Sequence, residues 1–346
     1  GQVRSQRLQL GRITPAQSGL GDVAFNVKTQ LQVGKNKPLK SSADLTIASL
    51  TYRNYTYNNI KVKGDYTNKT FIGDVDINDA NGQLTFGGQI DLNANSYLFN
   101  FDANVKKFRP YALNLTTKNL NLEVSFNINS EFAGPNIDHM NGQIVIDSIL
   151  LANNKQAYYV EDFIIRSNSA TKIGKVKTLS IESPILVVMG SGDYTIGSLI
   201  TSFKNTAANY FPVMGTQTTI KQPTRNNNIQ LAFELESTQK LASVLDMPWF
   251  TTKTSTINGH YNDIQNELEL DIQVPTLTNQ RNFVWEDISL ALNNQNKQIN
   301  CLLHAQTKTK SNDTISLNLD LNGINDSLKA YLSWDNTLPT ISQSGE

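Results

Sequence analysis

Apolar and polar residues alternate with a period of two along most of this chain. Because successive side chains of a strand point to opposite faces, such runs predict antiparallel strands with one apolar and one wet face. The apolar members that we expect to line one common surface are Ile60, Val62, Leu84, Phe86, Phe99, Phe101, Leu122, Val124, Phe126, Leu231, Phe233, Leu268, Leu270, Ile272, Leu317 and Leu319. The dipeptides Asn81-Gly82, Asn141-Gly142, Asn258-Gly259 and Asn322-Gly323 are predicted hairpin turns.

A strand-plus-hairpin pattern recurs along the chain. The stretch 44–51 matches 271–278, and each leads into an aromatic-rich segment, 55–60 and 283–288 respectively. A third copy runs through 144–150 and 158–163. A unit repeated in this way favours an elongated array over a globule.

Two helices interrupt the strand pattern. The stretch 195–211 carries Ile196, Leu199, Ile200 and Phe203 at helical spacing, and we expect this apolar stripe to pack along the strands, where the helix either gates the apolar surface or closes one section of it. A second helix is predicted at 237–245, with Ser237 as its N-cap. The predicted organisation is therefore a first β section at 1–193, a helical insertion with a loop and one strand at 194–248, and a second β section at 249–346.

The pattern provides no helical layer to cover the apolar face of so many strands. Wide twisted sheets curl or split, so the apolar face must be enclosed by the sheet itself. The predicted fold class is all-β, an elongated U-shaped antiparallel groove with two short interrupting α-helices; a two-sheet sandwich is the other solution.

Composition excludes several function classes. Lys and Arg total 30 and Asp and Glu total 30, so there is no basic footprint for nucleic acid. One cysteine, Cys301, allows no internal disulfide. No run of 18 apolar residues and no signal peptide is present, and we expect a section of a longer protein.

Candidate catalytic and metal-binding residues are sparse. His139, His260 and His304 lie far apart with no partner at ligand spacing. The acidic stretch 74–82 lacks the spacing of a calcium loop, and Gly190-Ser191-Gly192 lacks the rest of a phosphate-binding motif and is expected to form a strand-to-helix turn. We therefore expect no enzyme, no cofactor and no metal.

Several segments resemble a known family. They are Gly64-Asp65-Tyr66, Gly259-His260-Tyr261, the run 77–88 from Ile77 to Gly88, and the run 101–115 from Phe101 to Leu115. Together they are similar to the TamB proteins of the AsmA-like, repeating β-groove superfamily, in the form found in Bacteroidota. The resemblance covers essentially the whole chain, which would be an internal section.

The resemblance implies a function. Such proteins are bridge-like conduits that carry phospholipid through the periplasm between the inner and outer membranes. They are anchored in the inner membrane by a segment that would lie outside this section, and they work with TamA, a BamA-like outer-membrane protein. The implied role is envelope biogenesis, with acyl chains on the apolar floor and headgroups at the rim.

Other interpretations of the pattern stay open. A surface β-sandwich adhesin or glycan-binding protein would bury its apolar face completely, and an outer-membrane assembly scaffold would carry no lipid. A transmembrane β-barrel would also alternate, but the scattered tyrosines do not form aromatic girdles.

Overall fold

The structure is a computed structural model that describes most of the chain. The described residues are 1–15, 18–32, 40–93, 97–169, 176–195, 197–199, 201–202, 227–295, 298–309, 313–324, 327–336 and 344–345. They form two compact units. The first unit comprises Gly1–Arg166 with Ser243–Asp246, and the second comprises Ser167–Ala242 with Met247–Glu346.

The first unit is an antiparallel meander in which each strand pairs with the next strand along the chain. Its strands are β1 (Gln2–Gln9), β2 (Leu20–Gln32), β3 (Lys40–Tyr52), β4 (Tyr55–Thr67), β5 (Thr70–Asp79), β6 (Gly82–Asp91), β7 (Tyr97–Phe108), β8 (Glu123–Gly134), β9 (Asn141–Ala152) and β10 (Ala157–Asn168). Short 3-10 turns at Leu10–Arg12 and Ile137–His139 join neighbouring strands.

The second unit is also an open antiparallel sheet. Its strands are β11 (Lys177–Glu182), β12 (Leu186–Asp193), β13 (Asn228–Leu235), β14 (Trp249–Phe250), β15 (Ser255–Asn262), β16 (Glu267–Asn279), β17 (Val284–Gln295), β18 (Gln298–Lys308), β19 (Thr314–Ile324), β20 (Ser327–Asn336) and β21 (Ser344–Gly345). The pairing follows chain order except that β13 pairs with β15, and the two-residue β14 pairs with the end of β16.

Helices are short. Helix α1 (Gln239–Leu245) has seven residues, and residues 197–199 and 201–202 are also helical; we call these five residues the short helical segment. The predicted N-cap of α1, Ser237, is wrong by one residue: the Thr238 carbonyl accepts from the Ala242 N–H at 2.8 Å, so Thr238 is the N-cap. No helix in the described ranges is long and apolar enough to cross a bilayer. The structure confirms the predicted all-β, antiparallel fold class with two short helical insertions.

Turn positions differ from the prediction. Asn141-Gly142, Asn258-Gly259 and Asn322-Gly323 lie inside β9, β15 and β19. At Gly142 the reason is close strand approach, because a Cβ would collide with the carbonyl oxygen of Glu131. The tight turns instead use Arg53-Asn54, with φ of 48° and 63°, and Asn68-Lys69, with φ of 47° and 64°. Gly190-Ser191-Gly192 likewise lies within β12 rather than in a strand-to-helix turn.

The three copies of the recurring sequence unit are hairpins. They are β3–β4, β9–β10 and β16–β17. The equivalent residues Asn59 and Asp287 both have a positive φ, 54° and 50°. At Asp287 the pairing of β17 with β18 shifts by a β-bulge, and similar shifts occur around Lys107 and Ser148, whose φ values are 51° and 53°.

Candidate functional site

The apolar side chains of the second unit form continuous rows across neighbouring strands. One row crosses eight strands, and each member lies directly opposite the next: Val188, Phe233, Ile257, Ile272, Leu290, Leu303, Leu319 and Leu332. A second row lies two residues away on each strand: Gly190, Leu231, Gly259, Leu270, Leu292, Cys301, Leu321 and Ala330. Because strand side chains alternate, both rows lie on one face, which we call the second apolar face.

Most side chains of the second apolar face are only partly shielded from solvent. Val188 is 7 % exposed, but Leu270, Ile272, Leu290 and Leu319 are half-buried. Leu231 is 36 % exposed. Cross-strand neighbours account for partial burial of this kind. The middle of the face therefore offers aliphatic surface to a ligand.

The first unit carries the same arrangement. One row contains Phe25, Ile47, Ile60, Ile77, Leu84, Val105 and Phe126, and a second contains Val27, Leu45, Val62, Val75, Phe86, Ala103, Ile128 and Ile146. Ile60 and Ala103 are buried at 8 % and 9 % exposure, and most of the others are half-buried. We call this surface the first apolar face.

A row of glycines interrupts the first apolar face. Gly64, Gly73 and Gly88 lie opposite one another on β4, β5 and β6. Phenylalanine rings lie beside this row: the Phe86 ring centroid is 6.3 Å from that of Phe71 and 5.1 Å from that of Phe101. Aromatic rings commonly cover glycines in sheets in this way.

Most residues predicted to line the apolar surface lie on these two faces. Phe99 shares β7 with Phe101, two residues away, and Val124 shares β8 with Phe126. Leu268 pairs with Tyr261, and Leu317 lies opposite Ala305 and Trp334. Leu122 does not join them, because β8 begins at Glu123 and Leu122 lines a small 110 Å³ cavity with Asn153 and Val244. Alternation in the sequence could not predict which residues lie opposite one another on neighbouring strands, because that register is set by strand pairing.

The short helical segment closes one end of the second apolar face. Leu199 packs against a buried cluster of Tyr194, Ile229 and Tyr261, and Leu268 joins the same cluster. Ile229, Tyr261 and Leu268 lie opposite one another on β13, β15 and β16. Of the four residues predicted for a gating helix, Leu199 is therefore placed at the sheet, whereas Ile196, Ile200 and Phe203 lie outside the described residues.

A buried asparagine fixes this segment to the sheet. Asn227 is fully buried, and its side-chain oxygen accepts from the Thr195 N–H at 2.9 Å. Its side-chain amide donates to the Ser202 hydroxyl at 3.0 Å and to the Asp263 carboxylate at 2.8 Å. These groups are shielded from water by burial of Asn227. Removal of its side-chain amide would therefore leave their hydrogen-bonding capacity unsatisfied.

On the opposite, polar faces of the sheets, side-chain amides form hydrogen bonds to side chains of the neighbouring strands. In the first unit Asn104 donates to Asn127 at 2.5 Å, and Asn127 donates to Asp147 at 2.7 Å. A hollow of about 850 Å³ in the second unit is lined by Gln230, Asn258 and Glu269 and also by Leu231, Leu270 and Leu292.

Histidines lie on neither apolar face. His139, His260 and His304 bond to Asn136, Asn228 and Asn318 at 2.8, 3.1 and 2.7 Å. Among the described residues no group of three His, Cys, Asp or Glu side chains is arranged to hold a metal ion.

The cysteine of the chain lies on the second apolar face. Cys301 is half-buried between Leu292 and Leu321. Burial, with a smaller contribution from the Asp320 charge, raises the pKa of its thiol. Because the chain has one cysteine, labelling of this thiol places a probe at a single position on the second apolar face.

Comparisons with known proteins give no identification: no family model, no curated protein and no solved structure matches this chain.

Proposed function

We propose that this chain is a lipid-binding section of a bridge-like conduit of the TamB type. In that role the two apolar faces hold the acyl chains of phospholipids, and headgroups remain in water at the strand ends. The supporting observation is the continuous row of partly exposed apolar side chains that crosses eight strands of the second unit.

The chemistry of the rows suits movement as well as binding. Each methylene removed from water contributes about 0.8 kcal/mol, so a long chain is held without polar contacts. Neighbouring strands are about 4.8 Å apart, so eight strands extend the row over about 34 Å. Because Leu, Ile, Val and Phe follow one another along the row, an acyl chain meets similar surface at each step.

The proposal includes location and partners. A conduit of this type lies in the periplasm, with an inner-membrane anchor outside this section and the BamA-like protein TamA at the outer membrane. These statements rest on the sequence resemblance together with the apolar faces described above.

Photo-crosslinking tests lipid binding on a stated face. A photoactivatable residue at Leu270 or Leu319 should capture a phospholipid with a clickable acyl chain, because both side chains lie on the second apolar face. Their chain neighbours Asp271 and Asn318 point to the polar face and are the matched controls. Capture at Asp271 and Asn318 equal to that at Leu270 and Leu319 would contradict the proposal.

The short helical segment supplies a second test. We propose that it restricts lipid at its end of the second apolar face, because Leu199 occupies the surface of Ile229 and Tyr261. Leu199→Asp should open this end and increase capture by a photoactivatable residue at Leu268. Unchanged capture at Leu268 in a folded Leu199→Asp variant would show that the segment does not restrict access.

A further inference from the structure

Three aromatic rings, two of them exposed, form a cluster at one end of the second unit. The Phe283 ring centroid lies 6.5 Å from that of Trp249 and 5.5 Å from that of Trp285, both in edge-to-face geometry. Trp249 is 38 % exposed and Phe283 is 41 % exposed. We call Trp249, Phe283 and Trp285 the aromatic cluster. Three large rings together at a surface are unusual for a soluble face and mark an interaction site.

The aromatic cluster is held in place by specific hydrogen bonds. Trp249 lies on β14, opposite Asn279 at the end of β16. Between these strands the Gln280 N–H donates to the Pro248 carbonyl at 3.3 Å, and its side-chain amide donates to the Met247 carbonyl at 3.0 Å. The Asn279 side chain also accepts from the Phe283 N–H at 3.0 Å. Exposure of the rings is therefore built into a fixed scaffold.

Cations lie in both chain segments that carry the rings of the aromatic cluster. The two segments that carry the rings, 247–254 and 279–285, contain Lys253 and Arg281, both exposed, and no Asp or Glu. Carboxylates flank both segments: Asp246 and Asp287 are exposed, and Glu286 pairs with Lys308 at 3.0 Å. The cluster thus combines exposed rings with cations at the same end of the sheet.

We infer that the aromatic cluster is the surface by which the second unit contacts a lipid bilayer. Tryptophan sits at the headgroup level, where its apolar body and its polar N–H both find suitable surroundings, and phenylalanine inserts its ring on the apolar side of that boundary. Lys253 and Arg281 complement the negative charge of anionic headgroups. The inference rests on the proposed function and extends it, because it names where lipid would pass between a bilayer and the second apolar face.

Intrinsic fluorescence tests this inference directly. The chain has three tryptophans, and two of them belong to the aromatic cluster. Trp334→Phe removes the third and leaves the cluster as the sole indole reporter. Vesicles of phosphatidylethanolamine and phosphatidylglycerol should shift the emission of this variant to the blue, and brominated acyl chains should quench it.

Two charge substitutions give a matched comparison in the Trp334→Phe background. Phe283→Asp keeps both indoles and should lower the vesicle partition coefficient by about tenfold or more, because it replaces an inserted ring with an anion. Ile264→Asp adds the same charge at another exposed apolar position, 63 % exposed, in the turn at the opposite end of β16. It should leave partition unchanged. Arg281→Gln should weaken binding to anionic vesicles more than to neutral ones.

The outcomes separate this inference from the proposed function. No blue shift with vesicles, or equal effects of Phe283→Asp and Ile264→Asp, would overturn bilayer contact. Protection of the cluster by a protein but not by vesicles would assign it to a protein partner and also overturn it. A solvatochromic label on Cys301, challenged with phospholipid dispersed in detergent, reports lipid on the second apolar face independently of bilayer contact.

Discussion

Two hairpins with related sequences end in very different ways. In β3–β4 of the first unit, the two aromatic residues are Tyr55 and Tyr57, and both of their hydroxyl groups form hydrogen bonds. The Tyr55 hydroxyl donates to the Asp79 carboxylate, and the Tyr57 hydroxyl donates to the Leu113 carbonyl at 3.1 Å. In β16–β17 of the second unit, Phe283 and Trp285 occupy the equivalent positions and form an exposed cluster with Trp249.

The contrast shows what a polar group on an aromatic ring does at a sheet end. Asp79 is 2 % exposed and also accepts from the N–H groups of Asn58 and Asn81, each at 2.9 Å. A buried carboxylate with this many donors needs each of them, so the tyrosine hydroxyl ties the strand end into the interior. Phenylalanine has no such group, and its ring at the equivalent place stays at the surface. The backbone of the repeat is shared, whereas its surface chemistry differs.

The largest expected difference between the two units is the effect of a glycine-to-alanine substitution on one strand of each. In Gly73→Ala, the new Cβ would collide with the carbonyl oxygen of Lys63 and with the Gly64 Cα, so backbone must move. We expect a loss of about 3 kcal/mol or more in the free energy of unfolding. In Gly259→Ala, the nearest atoms are at 3.4 and 3.5 Å, so we expect a change within about 1 kcal/mol. Urea unfolding measures both, and equal losses would contradict the expected difference between these two positions.

Removal of the Asp79 carboxylate should have the next largest effect. Asp79→Ala leaves the Tyr55 hydroxyl and two backbone N–H groups without their acceptor, which should cost about 2–3 kcal/mol in the free energy of unfolding. Asp76→Ala, on the exposed side of the same strand, is the control and should change it by less than about 0.5 kcal/mol. A loss for Asp76→Ala as large as for Asp79→Ala would show that the hydrogen bonds to Asp79 do not account for the destabilisation.

Exchanging a hydroxyl at equivalent positions should sharpen the comparison. Tyr55→Phe removes one donor from buried Asp79 and should destabilise the first unit by about 1–2 kcal/mol. Phe283→Tyr adds a hydroxyl at an exposed ring, where water satisfies it, and should be close to neutral. Thermal unfolding of the two variants provides the measurement, and a substantial loss in Phe283→Tyr would mean that the second hairpin is also enclosed.

Acid should weaken the Asp79 network by a smaller amount. Burial alone raises the pKa of Asp79, but hydrogen bonds from Tyr55, Asn81 and Asn58 outweigh burial and hold this pKa below its ordinary value. The native state therefore binds fewer protons than the unfolded state. The resulting stabilisation is fully present above the ordinary pKa of about 4 and is lost as pH falls through the native pKa. Asp79→Asn should flatten the acid arm of the stability profile, and parallel profiles for the two proteins would contradict this.

Alternation in the sequence was enough to predict which side chains share a face. Leu270 and Ile272 lie on one side of β16 and Asp271 and Gln273 on the other, because side-chain direction follows directly from a strand's period of two. Turns were harder, since Asn258-Gly259 has the composition of a hairpin turn and lies in the middle of β15. There the decisive factor is the neighbouring strand, which no local pattern contains.

The site features that the sequence did not predict depend on distant segments. Trp249 and Phe283 meet because β14 pairs with the end of β16, a contact between residues more than 30 positions apart in the chain. Asp79 belongs to a stretch whose acidic composition suggested nothing beyond a strand and a turn. Its role depends on Tyr55, which lies at the far end of the hairpin on the neighbouring strand β4.

The bulges at Lys107, Ser148 and Asp287 have a consequence for how such a chain can change length over evolution. Insertion of one residue into a regular strand would turn every later side chain of that strand to the wrong face. A bulge absorbs an odd residue locally, so the strand resumes with its inward and outward positions preserved. Descendants of an ancestral hairpin could thus gain or lose single residues at these three places without inverting their surfaces, and natural length variation is expected to concentrate there.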